Sequence, residues 1–187
     1  MIVKNFTVHN FFEKENIFLF YGENEGLKEE ISDKLKKQFT KETIFTYREK
    51  DILNDLDTFF SNIFTKSFFD NKKLILVKDV TDKFLDQIEI IIKKKIDDVT
   101  IVLMATLLDK KSKVRNLFEK NDGLVCVPFY KDDKNTLSNI AHSFFKSKKI
   151  NISQASINLI VDRSSEDRKN LKNELTKIEL FLAGKKS

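Results

Sequence analysis

The chain is poor in the residues that punctuate or staple a fold. Its 187 residues include one Cys, one Pro, four Gly and no Trp. A lone cysteine closes no internal disulfide, which points to a reducing compartment and to a cytoplasmic location. Cys126 lies in the apolar run Leu124-Val125-Cys126-Val127, where a small buried hydrophobe is expected rather than a nucleophile. No apolar stretch approaches the ~18 residues of a membrane span, so no membrane partner is expected. The start, Met1-Ile2-Val3-Lys4-Asn5, continues into mixed polar residues without a small-residue cleavage site, unlike a signal peptide. Arginine is scarce as well. Of 34 basic residues only Arg48, Arg115, Arg163 and Arg168 are Arg. The net charge of +5 would permit contact with nucleic acid. The lysines, however, come with plentiful Ile, Asn and Phe, the drift of an AT-rich genome, and such lysines mostly coat solvated helix faces. DNA is therefore expected as an indirect or weak partner.

Catalytic groupings are missing too. The two histidines, His9 and His142, are far apart in sequence, and neither has a metal-type partner nearby. No Ser-His-Asp, Cys-His or zinc-ligand spacing occurs. Carboxylates are numerous but interleaved with Lys, as on solvated helix faces. No catalytic residue, metal site or cofactor is expected.

What is present is a core. An apolar fraction of 41% suits a globular protein, and the length suits one good core or two small domains. The first ~130 residues alternate strand-like and helix-like runs, the pattern of a mostly parallel sheet covered by helices. Strands are predicted at Ile17–Tyr21, Ile44–Tyr47, Leu74–Val77, Val99–Met104 and Leu124–Val127, the last stopped by Pro128. Between them fall helical stripes: Leu27, Ile31, Leu35 and Phe39; Ile52 through Ile63; Phe84 through Ile92; and a short helix from Ser112. After Pro128 the strand signal ends. Three helices are predicted: one through Leu137, Ala141 and Phe145, one capped by Ser153, and one capped by Ser164 or Ser165 that ends at Gly184. The expected organisation is an α/β domain over 1–129 and a small three-helix lid domain over 130–187, joined by the linker Phe129–Asp133.

The first strand runs straight into Gly22-Glu23-Asn24-Glu25-Gly26-Leu27-Lys28-Glu29-Glu30. A nucleotide-binding P-loop at this point needs G-x-x-x-x-G-K-[ST], with glycines baring N–H groups to phosphates, Lys on the β/γ-phosphates and a hydroxyl on Mg²⁺. Counting from Gly22, Leu27 stands at the second glycine and Glu29 at the hydroxyl position; only Lys28 fits. Glu23 and Glu25 set negative charge where phosphates would lie. Gly22 and Gly26 are expected to shape the strand-to-helix turn rather than to bind a cofactor. Asp79, at the end of the third strand, echoes a magnesium-holding carboxylate; capping the following helix near Thr81 is the expected role. Ser67-Phe68-Phe69-Asp70 precedes the third strand. Adjacent Phe on a helix point about 100° apart and cannot share one core stripe. One Phe in the core and one at an edge is the plain expectation; a hydrophobic plug for a partner is the other. Three function classes fit the residues: a non-catalytic binding subunit, an atypical P-loop NTPase, and a Lys-rich nucleic-acid-binding module.

Five strands and a helical lid follow the element order of AAA+ modules, and three segments carry a more specific resemblance. They are Phe18 through Ile31, then Ser112-Lys113-Val114-Arg115-Asn116-Leu117-Phe118-Glu119-Lys120, then Asp167-Arg168-Lys169-Asn170-Leu171-Lys172-Asn173-Glu174-Leu175-Thr176-Lys177-Ile178. From Phe18 to Lys185 the chain resembles the delta subunit of the bacterial DNA polymerase III clamp loader. That resemblance implies an AAA+-like module that neither binds nor hydrolyses ATP, within a nucleotidyltransferase assembly that replicates DNA. It implies the sliding clamp (beta subunit) and the other clamp-loader subunits as partners. It also implies a hydrophobic pair before the third strand that enters a clamp pocket, here Phe68 and Phe69 after Ser67; the usual pattern is Leu-Phe, so Phe68 departs mildly. The family's C-terminal collar domain is expected to be absent from this chain.

Overall fold

The computed structural model describes residues 1–65, 72–94 and 96–184. Among them are five strands: β1 Ile17–Tyr21, β2 Ile44–Arg48, β3 Lys73–Lys78, β4 Val99–Ala105 and β5 Leu124–Pro128. All pair in parallel in the order β2-β3-β4-β1-β5. The strands expected from the sequence are these five, to within a residue or two at their ends. Continuous apolar runs become the inner strands because helices cover both faces of a parallel sheet. In β3, Leu74 through Val77 are at most 2% exposed. The edge strand β2, by contrast, leaves Thr46 and Arg48 in solvent. At the other edge Ile2 bridges to Cys126 in β5.

Eight α-helices are described: α1 Glu25–Lys36, α2 Glu49–Asn54, α3 Leu56–Phe64, α4 Leu85–Lys94, α5 Lys113–Lys120, α6 Lys134–Ser147, α7 Gln154–Arg163 and α8 Arg168–Gly184. One face of the sheet, with Leu19, Tyr21, Ile75, Val77, Ile101, Leu103 and Cys126, shares a core with Ile52, Phe59, Ile63, Phe84, Ile88 and Phe118. On the other face a ladder of rings runs Phe12–Phe18–Phe20–Phe129 with centroid spacings of 5.6, 6.2 and 5.1 Å.

Several boundaries differ from the sequence expectation, each for a polar reason. The helical stripe from Ile52 to Ile63 is two helices, because Asp55 leaves the helical conformation and accepts from Thr58 N–H to start α3. Phe39 falls in the turn after α1 rather than on its stripe. Asp79 does not cap the next helix; Thr81 does, accepting from Lys83 N–H. Asp167, not Ser164 or Ser165, caps α8 by accepting from Asn170 N–H. Ser164 is buried and its hydroxyl donates back to Val161 O at the end of α7. Ser112 and Ser153 cap α5 and α7 as expected.

The chain divides into two compact units, residues 1–23 with 30–129 and residues 24–29 with 130–187. The second unit packs α6, α7 and α8 around Leu137, Ala141, Phe145, Ile157, Val161, Leu171 and Leu175. It also takes in the first turn of α1. The segment read as a linker is structured: Phe129 is fully buried in the first unit, and Asp132 is bonded within the second.

Candidate functional site

In open parallel sheets, ligands bind beyond the carboxyl ends of the strands where the strand order reverses. Here that place is the end of β1, which lies between β4 and β5. Tyr21 O accepts from Phe129 N–H at 2.7 Å, and Gly22 N–H donates to Thr106 O at 2.7 Å. Gly22 has φ +126°, and a Cβ built on it would stand 2.2 Å from Phe129 O. Only glycine fits this turn. Its bare backbone faces another stretch of the chain rather than a phosphate.

Within the second unit, the start of α1 is sealed by the chain's own groups. A helix N-terminus offers N–H donors and a positive dipole end to an anion. Asn24 takes one such donor, its Oδ1 accepting from Leu27 N–H at 3.0 Å. The Asn24 amide then donates to Tyr130 O at 3.0 Å and to Asp132 Oδ2 at 2.9 Å. Both Asp132 oxygens also receive Arg168, Nε at 2.7 Å and Nη2 at 2.8 Å. The Arg168 and Asp132 side chains are only 10% and 8% exposed. This fork-on-fork pairing is the strongest common form of charge-assisted hydrogen bond. Lys28, the one residue that fits a phosphate loop, is 2% exposed and bonded to Glu25 at 2.6 Å. Lys169 bonds Glu29 at 2.7 Å, and that hydrogen bond and charge raise its pKa above the usual lysine value. Gly26 sits in the first turn of α1, where an added Cβ would lie 2.9 Å from Lys169 N and 3.0 Å from Arg168 Cβ. Glu25 and Glu29 of the loop thus each bond a lysine of the chain.

The other sequence candidates are not gathered here. Asp79 lies at φ 61°, largely exposed, with Arg48 3.9 Å away. His142 donates or accepts at the surface with Gln154, 2.8 Å apart. Burial pushes the Cys126 thiol up to about 12, which suits a core residue and not a nucleophile. Among the described residues no group of three or more His, Cys, Asp or Glu could hold a metal ion, and no helix is long and apolar enough to cross a membrane. Ser67, Phe68 and Phe69 lie outside the described residues. Sequence reasoning missed Asp132 as the shared partner of Arg168 and Asn24; the acidic pair Asp132-Asp133 before α6 was the available signal.

A parallel sheet of order β2-β3-β4-β1-β5, followed in the chain by a three-helix unit, is an AAA+-like fold. Among solved structures, the chain is similar to the Bacillus subtilis DNA clamp loader delta protein, with a TM-score of 0.64 and 15% identity over 95% of this chain. It spans 57% of that protein. It is also similar to domain III of the Thermotoga maritima replication initiation protein DnaA, with a TM-score of 0.54, 14% identity, and coverage of 98% of this chain and 83% of that one. The Thermotoga maritima RuvB Holliday junction branch migration motor gives a TM-score of 0.54 at 12% identity, over 92% of this chain and 57% of that one. No curated protein matches the chain significantly. The profile of the DNA polymerase III delta subunit family matches residues 18–128, and the chain belongs to that family.

Proposed function

We propose that the chain serves DNA replication as a clamp-loader subunit that binds and opens the sliding clamp and consumes no ATP itself. The observation that carries this reading is the sealed loop at the head of α1, on a chain of the delta family. Its cations are matched by its own carboxylates, and its two glycines are used for close packing inside the protein. A module built this way contributes by binding. On this reading the clamp contact is Ser67, Phe68 and Phe69, in the segment between α3 and β3. The partners are the clamp and the other loader subunits, the location is the cytoplasm, and contact with DNA is indirect. Adjacent aromatic side chains are the residue type that dominates interface energies.

The test is capture of purified sliding clamp by wild type and by Phe68→Ala/Phe69→Ala, with affinities measured for both. An anchor worth about 2 kcal/mol makes each substitution cost roughly 30-fold in Kd. Undiminished clamp binding by the double variant overturns the site. Magnesium-dependent ATP binding by the wild type at micromolar concentration overturns the non-catalytic reading.

A further inference from the structure

We infer that the Asp132 carboxylate is a resident anion: inside the second unit it fills the electrostatic role that a bound anionic ligand would have, and so fixes the start of α8 on the first turn of α1 with nothing bound. The observation is a continuous relay through one carboxylate. Leu27 N–H is held by Asn24 Oδ1, Asn24 Nδ2 by Asp132 Oδ2, and the two Asp132 oxygens by Arg168 Nε and Nη2. A helix N-terminus and an arginine facing each other across a small gap form an anion site if the gap is empty. Asp132 closes that gap from within, and at 8% exposure it leaves little access for solvent ions. Gly26 brings the two helix starts close enough for one carboxylate to reach both. Lys28 and Lys169 bond Glu25 and Glu29, and the Arg168 fork falls on Asp132.

This differs from an ordinary stabilising pair in one measurable respect. If the carboxylate stands in for an anion, an external anion must be able to replace it once it is removed. The inference is also independent of how the protein contacts a clamp, so either can fail without the other. The experiment is hydrogen exchange on the full chain with Asp132→Ala, with and without millimolar inorganic phosphate or pyrophosphate. Amides at 24–29 and in the first two turns of α8 are expected to exchange at least ~10-fold faster in the variant, because one carboxylate accepts from both Asn24 and Arg168 and its loss breaks the link between the two helix starts. Phosphate or pyrophosphate is expected to restore protection in Asp132→Ala, and to do nothing in wild type or in Asp132→Ala/Arg168→Ala. Should Asp132→Ala fold poorly, Asp132→Ser, which also vacates the space of the carboxylate, takes the same comparison. Unchanged exchange in the variant overturns the inference. So does faster exchange that neither anion reverses, which would leave Asp132 as a structural partner only.

Discussion

Replacing Gly26 with alanine sets two known effects against each other, and the structure decides the sign. Glycine inside a helix costs about 1 kcal/mol relative to alanine, and less in the first turn, where Gly26 lies. On propensity alone Gly26→Ala is stabilising. The new Cβ, however, would lie 2.9 Å from the Lys169 backbone nitrogen, 3.0 Å from Arg168 Cβ and 3.2 Å from Arg168 Cγ. The nearest of these is main chain, not the free end of a flexible side chain. Arg168 cannot swing aside either, since it is forked onto Asp132 at 2.7 and 2.8 Å. The helix starts must separate by several tenths of an ångström, and overpacking of this kind costs about 1–3 kcal/mol. The clash therefore outweighs the propensity gain, and a net loss of about 1–2 kcal/mol is expected. Gly184→Ala is the control, because a Cβ there meets nothing within 4 Å and no strained φ intervenes. Urea unfolding followed by hydrogen exchange, or by a probe on α8, reads the difference. The expected result is a lowered midpoint for Gly26→Ala and a midpoint unchanged or raised for Gly184→Ala. If Gly26→Ala raises the midpoint as a surface substitution would, α8 is not held against α1, and the account of a sealed loop is wrong.

Asp82 and Cys126 supply two further tests in the first unit. Asp82 accepts from Ser112 Oγ, Lys113 N–H and Val114 N–H at 2.7, 3.0 and 3.0 Å, tying the start of α5 to the turn before α4. Burial pushes its pKa up, but the hydrogen bonds from Ser112, Val114 and Lys113 outweigh it and hold the carboxyl below the ordinary 3.8. A depressed carboxylate stabilises above its unfolded pKa and loses that contribution as pH falls through the folded value. Asp82→Asn is expected to cost about 1 kcal/mol at neutral pH, the scale of a capping residue, with solvent screening keeping the charge part small. The gap between variant and wild type should then close below pH 3.8 in unfolding curves, and a gap that widens on acidification refutes the assignment. Cys126 is fully buried with its thiol pushed up to about 12, so a disulfide reagent should modify the native chain at least ~100-fold more slowly than the denatured chain. Comparable rates would place the thiol at the surface.

The architecture was legible because it rests on burial, and burial leaves a periodic trace. Leu74-Ile75-Leu76-Val77 has no polar interruption, as a central strand between β2 and β4 requires. The first strand, the alternation and the three lid helices follow from the same kind of pattern. Helix ends were less legible, since a single polar hydrogen bond sets each of them. Asp55 falls inside a good apolar stripe, so the stripe hides the break between α2 and α3. Three candidate caps, Asp79, Ser164 and Ser165, have the right chemistry beside a helix start. Their neighbours Thr81 and Asp167 have it too, and the choice depends on backbone angles the sequence does not display.

The site shows a second limit. Sequence spacing is informative when one short segment does the binding, and so the departure of Gly22 through Glu30 from the phosphate-loop pattern could be read directly. The pairing of Asp132 with Arg168 could not. Asp132 and Arg168 are 36 residues apart, and Asp132 sits in a stretch that reads as linker. The retained glycines explain why the two facts belong together. Glycines in a phosphate loop keep the backbone open to a ligand. Here Gly22 is required by Phe129 O, and Gly26 by the backbone of Lys169. Both positions are set by contacts within the protein, and the close approach serves the packing of the chain on itself. Making an anion site here would then take more than a threonine in place of Glu29. Asp132 would have to go as well, because Arg168 is already occupied by it.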